Sequence, residues 1–170
     1  MKEISFRNDV LPLKNGLYRL ALRITLSREE AEDIVQDTLI KVWNARDKWQ
    51  DIDSVEAYTY TIARNLALDR MQKAEKRTTS LDEAFDDRPD SSSTPYEKTL
   101  QSDRMGLVRR LIDQLPEKQK SCMQLRDIEG KSYKEIAAIL GISEEQVKVS
   151  IFRARQAVKK KFEQYDEYGL

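Results

Sequence analysis

Residues 132–160, "SYKEIAAILGISEEQVKVSIFRARQAVKK", decide the fold of the second half of the chain. Gly141 stands where a helix would end in the left-handed conformation, which glycine adopts easily because it has no Cβ. Ser143 and Gln146 then form a capping box that opens a second helix. Two helices joined by a three-residue, glycine-containing turn make a helix-turn-helix. The first of them shows one apolar face at helical spacing, made of Tyr133, Ile136, Ala137 and Leu140.

The second helix of this motif has two unlike faces at about 100° per residue. Val147, Ile151, Ala154 and Val158 share the face expected to pack on the first helix, where Ala137 allows a close crossing. A basic surface helix by itself is more often a solvated face than a DNA site, but the preceding helix-turn-helix spacing favours DNA binding. Lys and Arg bind phosphate or guanine, Gln and Glu read base edges, and apolar side chains touch thymine methyl groups. The residues predicted to meet DNA are Glu145, Gln146, Lys148, Val149, Phe152, Arg153 and Arg155.

The first part of the chain shows further helical patterns and no alternating strand pattern. "LPLKNGLYRLALRIT" (11–25) has leucines and isoleucine at helical spacing, with Pro12 suited to the first turn. Ser27 with Glu30 predicts a capping box, and Asp53 with Glu56 predicts another before a helix that runs towards residue 77. The apolar residues are expected to form the core of a helical bundle, including Ile34, Val35, Leu39, Trp43 and Trp49.

The charge of the chain is distributed unevenly, although its 30 basic and 30 acidic residues give a net charge of zero. Residues 104–164 carry 14 basic and 8 acidic side chains, whereas residues 79–103 carry 2 basic and 7 acidic ones. The second segment is also rich in Ser, Thr and Asp and loses apolar periodicity, which is typical of a flexible linker. We therefore predict an all-α protein of two helical domains, 1–78 and 104–170, joined by a flexible acidic linker, 79–103.

Composition also excludes several classes of function. The chain has no His and a single Cys, Cys122, so neither a disulfide nor a common zinc site or catalytic triad is expected. The carboxylates near residues 29–37 have no companion motif, and we predict neither an enzyme nor a metal or cofactor site. No apolar segment has the length of a signal core or a membrane span, which predicts a cytoplasmic protein that does not insert into the membrane.

Two stretches of the chain resemble bacterial RNA polymerase sigma factors of the sigma-70 family. "LPEKQKSCMQLRDIEGKSYKEIAAILGISEEQVKVSIFRARQAVKK" (115–160) is similar to their region-four domain. "AEDIVQDTLIKVW" (31–43) and "YTYTIARNLALDRMQK" (58–73) are similar to their region-two domain. The order of the two domains, with no third domain between them, matches the extracytoplasmic-function (ECF) group. The resemblance implies a factor that directs core RNA polymerase to promoter DNA.

The resemblance implies two binding surfaces in region two. The helix matching residues 32–43 binds the clamp helices of the largest polymerase subunit in this family. The polar contacts carried over to this chain are Glu32, Asp33, Gln36, Asp37 and Lys41. The segment matching residues 58–77 melts and reads the minus-10 promoter element, and the residues carried over are Tyr58, Tyr60, Arg64, Asn65, Arg70, Lys73, Lys76 and Arg77. From the residues alone, packing of the tyrosines and an ordinary exposed helix position for Asn65 are the preferred interpretation.

Region four of the family reads the minus-35 element as duplex, which assigns that role to the DNA-facing residues of the second helix. Val149 and Ser150 depart from the small or basic residues of many members, so no minus-35 sequence is carried over. The family also implies control by an anti-sigma factor, often membrane-bound, in a stress or envelope response. A repressor or activator with a sensing N-terminal domain is the competing interpretation, and it predicts palindromic sites and no polymerase.

Overall fold

The computed structural model describes residues 3–80 and 104–167, and the predicted linker lies mostly outside these residues. The N-terminal unit begins with a π-helical turn and a 3-10 turn that contains Pro12, and another 3-10 turn precedes its last helix. Its three α-helices are α1 (Lys14–Thr25), α2 (Arg28–Asn44) and α3 (Val55–Ser80). The predicted helices of this half are therefore confirmed, with α3 extending slightly past residue 77.

The C-terminal unit is also helical throughout its ordered elements. Its α-helices are α4 (Arg104–Asp113), α5 (Glu117–Met123), α6 (Tyr133–Leu140) and α7 (Glu144–Glu167). A π-helical turn (Gln124–Ile128) continues α5, and Gly130 follows it with φ of 71°. Pro116 separates α4 from α5. Residues 3–80 and 104–167 contain no strand, in agreement with the all-α prediction.

Side-chain caps set where two helices of the N-terminal unit begin. Ser27 has extended backbone angles, and its hydroxyl accepts a hydrogen bond from the Glu30 amide at 3.2 Å. The predicted cap at Asp53 is wrong, because Ser54 accepts from the Ala57 amide at 3.1 Å and α3 starts one residue later. Asp and Ser side chains can both accept hydrogen bonds from the free amides of a first turn. Which of Asp53 and Ser54 caps α3 therefore depends on how the surrounding structure positions them.

The helix-turn-helix forms as predicted. Gly141 has φ of 70° and its amide donates to the Ala137 carbonyl, which closes α6. Ser143 and Gln146 exchange hydrogen bonds: the Ser143 amide donates to Gln146 Oε1 at 3.0 Å, and the Gln146 amide donates to Ser143 Oγ at 3.1 Å. The predicted inner face of α7 is buried along its length, at Val147, Ile151, Ala154 and Val158.

A small aromatic cluster joins the N-terminal turn to the end of α2. Trp49 is buried, and its indole N–H donates to the Val42 carbonyl at 3.1 Å. Phe6 lies 5.3 Å from Trp43 and 6.5 Å from Trp49 between ring centroids. Trp43 was predicted in the core but is 45% exposed. Trp43 directly follows the buried Val42, and successive residues of a helix point about 100° apart. The Trp43 side chain therefore lies at the edge of the buried face of α2.

The two predicted domains pack against each other and share one apolar core. Leu17 and Leu20 of α1 belong to the same buried cluster as Leu125, Ile136 and Val147 of the C-terminal unit. Helix α1 contacts α5, and α3 contacts α6. In the part of the chain that the structure describes, no helix has the length and hydropathy required to cross a bilayer.

Candidate nucleic-acid interface

The outer face of α7 presents an exposed mixture of charged, polar and apolar side chains. Phe152 is 63% exposed and Val149 is 42% exposed, although large apolar side chains ordinarily pack inside. The polar members of the predicted set are exposed around them: Glu145, Gln146, Lys148, Arg153 and Arg155. A helix of this kind, held by its inner face and open on its outer one, has the form that enters a major groove.

Contacts with the rest of the unit orient two cations of this face. Lys148 Nζ lies 5.5 Å from the centroid of the Tyr133 ring, so α6 limits the side chain to one side. Arg155 forms a two-pronged ion pair with Asp127, which lies in the turn after α5. Asp127 therefore holds the guanidinium of Arg155. A DNA phosphate that binds Arg155 would have to share the guanidinium with the Asp127 carboxylate or displace that carboxylate. No pattern in the sequence indicates this pairing, which joins positions 28 residues apart.

The predicted polymerase-binding residues lie together on the outer side of α2. Glu32, Asp33, Gln36 and Lys41 are exposed, and the carboxylate of Asp37 is 43% exposed. Ile40 and Trp43 extend this surface with exposed apolar area, 58% and 45% respectively. Ile34 and Val35 are buried on the opposite side, as expected for bundle core. An acidic face with apolar neighbours suits a basic partner surface that also offers apolar contacts.

Arg70 of α3 is bound to this acidic face. Its guanidinium lies 2.8 Å from a Glu30 oxygen and 2.7 Å from oxygens of both Asp33 and Asp37. The side chain is only 21% exposed, whereas the three carboxylates are 43–58% exposed. The structure therefore places this predicted DNA contact among the polymerase-binding candidates, where it neutralises part of their mutual repulsion.

The other residues predicted for the minus-10 element divide between open surface and packed positions. Asn65 is exposed on α3, as are Lys73, Lys76 and Arg77 farther along the helix. Tyr58 is partly buried against the aromatic cluster. Tyr60 is only 2% exposed, and Lys131 Nζ of the C-terminal unit lies 4.4 Å from its ring centroid. Burial, followed by the nearby charges of Glu129 and Glu56, raises the pKa of the Tyr60 hydroxyl.

Arg64 also faces the C-terminal unit. Its Nε and Nη2 donate to the two carboxylate oxygens of Glu117 at 2.9 and 2.8 Å, and its side chain is 13% exposed. The family resemblance assigns Arg64 to promoter DNA, and no sequence pattern indicates its pairing with Glu117, which stands 53 residues away. Of the residues in this stretch of α3, the structure thus leaves Asn65 open and covers Tyr60 and Arg64.

Two family models match the two units of the chain. The model described as "Sigma-70 region 2" matches residues 10–77, and that described as "Sigma-70, region 4" matches residues 105–158. A solved structure of the sigma factor RpoE in complex with the anti-sigma factor NepR from Bartonella quintana is similar, with a TM-score of 0.74 and 26% identity. The similarity covers 91% of this chain and 94% of that one. The fold is also similar to that of CnrH, with a TM-score of 0.67 and 22% identity.

Curated relatives carry the same assignment. The chain is 33% identical over 145 residues to the ECF RNA polymerase sigma factor SigE of Mycolicibacterium smegmatis, covering 84% of this chain and 56% of that relative's length. It is 31% identical over 140 residues to the ECF RNA polymerase sigma-E factor of Escherichia coli, covering 78% of this chain and 73% of that protein. The chain therefore belongs to the extracytoplasmic-function group of the sigma-70 family of RNA polymerase sigma factors.

Proposed function

We propose that this protein binds core RNA polymerase and directs it to specific promoters, with α7 reading the minus-35 element as duplex. The observation that carries this proposal is the outer face of α7, where Val149 and Phe152 stay exposed among Lys148 and Arg153. Neighbouring exposed apolar side chains surrounded by polar ones are typical of an interaction surface. Membership of the sigma factor family supplies the polymerase as the partner.

In this proposal the N-terminal unit has two tasks. The acidic outer face of α2 contacts the polymerase, and the α3 surface around Asn65 captures a base that melting exposes. The exposed amide of Asn65 provides both a donor and an acceptor, which suits the edge of an unpaired base. Lys73 and Lys76 lie beyond it on α3 and are exposed for backbone phosphates. The protein itself catalyses no bond formation, since RNA synthesis belongs to the polymerase. In this proposal the protein acts in the cytoplasm.

Regulation by an anti-sigma factor is part of the same proposal. The solved RpoE structure, which is similar over 91% of this chain, contains the anti-sigma factor NepR. We expect a partner of this kind to cover the polymerase-binding or DNA-binding surfaces, in a stress or envelope response. The chain would be purified from its host under non-inducing conditions together with the proteins bound to it. We expect a stoichiometric protein partner that core polymerase displaces poorly.

The test of promoter-directed initiation combines the purified chain with core polymerase on DNA whose start sites come from transcript mapping after overexpression. We expect transcripts from a defined promoter that neither component recognises alone. If core polymerase failed to bind the chain in the absence of any anti-sigma factor, the proposal would be wrong. DNA binding at palindromic sites without polymerase would instead support a repressor or activator.

Substitutions separate the two DNA contacts. Lys148→Ala or Arg153→Ala should weaken binding to duplex promoter DNA, and Lys14→Ala, which removes an exposed cation from α1, is the charge-matched control. Asn65→Ala should leave duplex binding intact and slow promoter opening, measured with permanganate reactivity of unpaired thymines. Gln72→Ala removes another exposed amide from α3 and should open promoters normally. Normal opening by Asn65→Ala on every promoter would refute the base contact.

A further inference from the structure

One carboxylate of the C-terminal unit is bound to the DNA-facing side of α7. Asp127 lies in the turn that follows α5, and its two carboxylate oxygens accept hydrogen bonds from Nε and Nη2 of Arg155. The side chain of Asp127 is 31% exposed and that of Arg155 is 49% exposed, so water reaches the pair. Exposed ion pairs contribute little to the stability of a fold. Stability therefore does not account for an acidic side chain beside the proposed DNA surface.

The turn that carries Asp127 is fixed by its neighbours. Leu125 is fully buried in the core. Arg126 Nη1 donates to the Lys131 carbonyl at 2.9 Å, and the Arg126 guanidinium lies 4.3 Å from the centroid of the Tyr133 ring. Asp127 thus follows two residues that are packed or hydrogen-bonded. Its carboxylate has a defined position relative to α7, which a side chain on a mobile surface loop would lack.

Arg155 lies on one flank of the outer face of α7. At about 100° per residue, Arg155 points about 60° to one side of Phe152, and Lys148, two turns earlier, points in nearly the same direction. Arg153 points about 100° to the other side of Phe152. A helix in the major groove presents the middle of its outer face to base edges and its flanks to the phosphate backbones. The position of Arg155 therefore suits a phosphate.

The ion pair leaves one edge of the Arg155 guanidinium open. Among the residues that the structure describes, none accepts a hydrogen bond from Nη1, because Asp127 binds only Nε and Nη2. A guanidinium is planar and carries its five N–H donors in a rigid fork. When a carboxylate holds one edge of the fork, the direction of the remaining donors is fixed as well. A phosphate oxygen can then bind Nη1 without the entropic cost of ordering a free arginine side chain.

We propose that Asp127 is a positioning residue for duplex promoter DNA: it fixes the Arg155 guanidinium so that Nη1 donates to a backbone phosphate. This inference rests on the proposed function, in which α7 binds the minus-35 element. The negative charge of Asp127 also repels the phosphate, with the cation of Arg155 between them. Positioning raises the affinity for DNA and repulsion lowers it. The sign of the change in affinity when the carboxylate is removed shows which of the two effects is larger.

The test uses the full chain assembled with core polymerase. The probe is a fluorescently labelled duplex that carries the minus-35 element of a promoter found by transcript mapping and ends upstream of its minus-10 element. Asp127→Ala should weaken binding about threefold, because Arg155 is no longer held. Glu144→Ala, the matched control, removes another exposed carboxylate from the start of α7 and should bind at least as tightly as the wild type. Unchanged or tighter binding by Asp127→Ala would overturn the positioning role.

Two further readouts separate positioning from a defect in folding. The slope of log affinity against log salt should become shallower by about one unit in both Asp127→Ala and Arg155→Ala, since each variant loses one phosphate contact. In a chain that already carries Arg155→Ala, the change Asp127→Ala should cause no additional loss of affinity. A folding defect would lower affinity in both backgrounds. A steeper salt slope in Asp127→Ala, or an equal loss in both backgrounds, would refute the role assigned to Asp127.

The base sequence of the probe tests the phosphate contact. A phosphate contact carries no sequence information, so Asp127→Ala should weaken binding by the same factor on duplexes with single base changes in the minus-35 element. A loss confined to one base pair would show that Arg155 reads a base, and it would overturn the phosphate contact.

Lys148→Ala and Arg153→Ala, measured in the same assay, keep the two proposals distinguishable. If both weaken binding and Asp127→Ala does not, only the role of Asp127 is refuted. If neither weakens binding, α7 does not bind the minus-35 element, and the proposed function of this helix fails together with the inference. Circular dichroism verifies that each variant keeps the helix content of the wild type.

Discussion

Adjacent residues on α7 provide the sharpest test of how this helix is oriented. Ile151 is 2% exposed and belongs to the shared core, whereas Phe152 is 63% exposed on the outer face. The two substitutions Ile151→Ala and Phe152→Ala both truncate a large apolar side chain at neighbouring positions of one helix. We expect the first to affect stability and the second to affect DNA binding.

The expected sizes follow from burial. Removing the Ile151 side chain leaves a cavity in a core that contains both units, and such truncations cost about 3 kcal/mol. With a urea dependence of about 2 kcal/mol per molar, the unfolding midpoint should fall by roughly 1.5 M. Phe152→Ala removes mostly solvated surface and should change the free energy of unfolding by no more than about 0.5 kcal/mol. Losing its apolar contact with a base should weaken duplex binding about fivefold, the equivalent of about 1 kcal/mol.

Urea titration followed by circular dichroism measures the first quantity, and fluorescence anisotropy with duplex promoter DNA measures the second. Ile151→Ala is assayed for binding in the absence of urea, where the folded state still predominates. Equal losses of stability in the two variants would show that α7 is rotated relative to the structure. Wild-type affinity in Phe152→Ala, together with unchanged stability, would remove this side chain from the DNA surface.

Three further outcomes follow from individual positions. Gly141→Ala should lower the free energy of unfolding by about 1–2 kcal/mol in urea titration, since φ of 70° is strained for any residue with a Cβ while nothing lies within 4 Å to clash. Burial raises the pKa of the Cys122 thiol to about 11 from an ordinary 9.0. Iodoacetamide should therefore label this thiol slowly in the folded chain and quickly in urea. The free energy of unfolding should decline from about pH 9 upward, because the unfolded chain loses the thiol proton first. Arg70→Ala should reduce affinity for core polymerase several-fold in a pull-down titration, because it removes the cation that organises the α2 carboxylates. Lys73→Ala should reduce only the binding of single-stranded DNA. If both variants weakened both ligands equally, the assignment of Arg70 to the polymerase surface and of Lys73 to the DNA surface would be wrong.

The local features of the fold were predictable because their causes are local. Gly141, Ser143 and Gln146 act within six consecutive residues, and their hydrogen bonds depend on neighbours that the sequence displays. The inner and outer faces of α7 follow from its period in the same way. The cap of α3 shows the limit, because Asp53 and Ser54 have the same capability and the surrounding packing chooses between them.

The burial of Tyr60 and the pairing of Arg64 were not predictable from the sequence pattern. Tyr60 and Arg64 look available when α3 is considered as a separate helix, but α1 lies against the Tyr60 hydroxyl, Lys131 lies over its ring, and Glu117 pairs with Arg64. The contacts with Glu117 and Lys131 join positions more than 50 residues apart and depend on how two units dock. Arg70 is similar, since its carboxylate partners lie 33–40 residues earlier. Ion pairs at such separations leave no periodic signature in a single sequence.

The aromatic cluster at the end of α2 gives the protein a spectroscopic asymmetry. Both tryptophans of the chain, Trp43 and Trp49, belong to the N-terminal unit. Trp43 emits from a half-exposed position beside the acidic face, and Trp49 emits from a buried one nearby. Intrinsic emission should therefore shift to shorter wavelength when a partner covers α2, and it should not respond when α7 alone engages duplex DNA. The unlabelled protein can thus report which of its two ends is occupied.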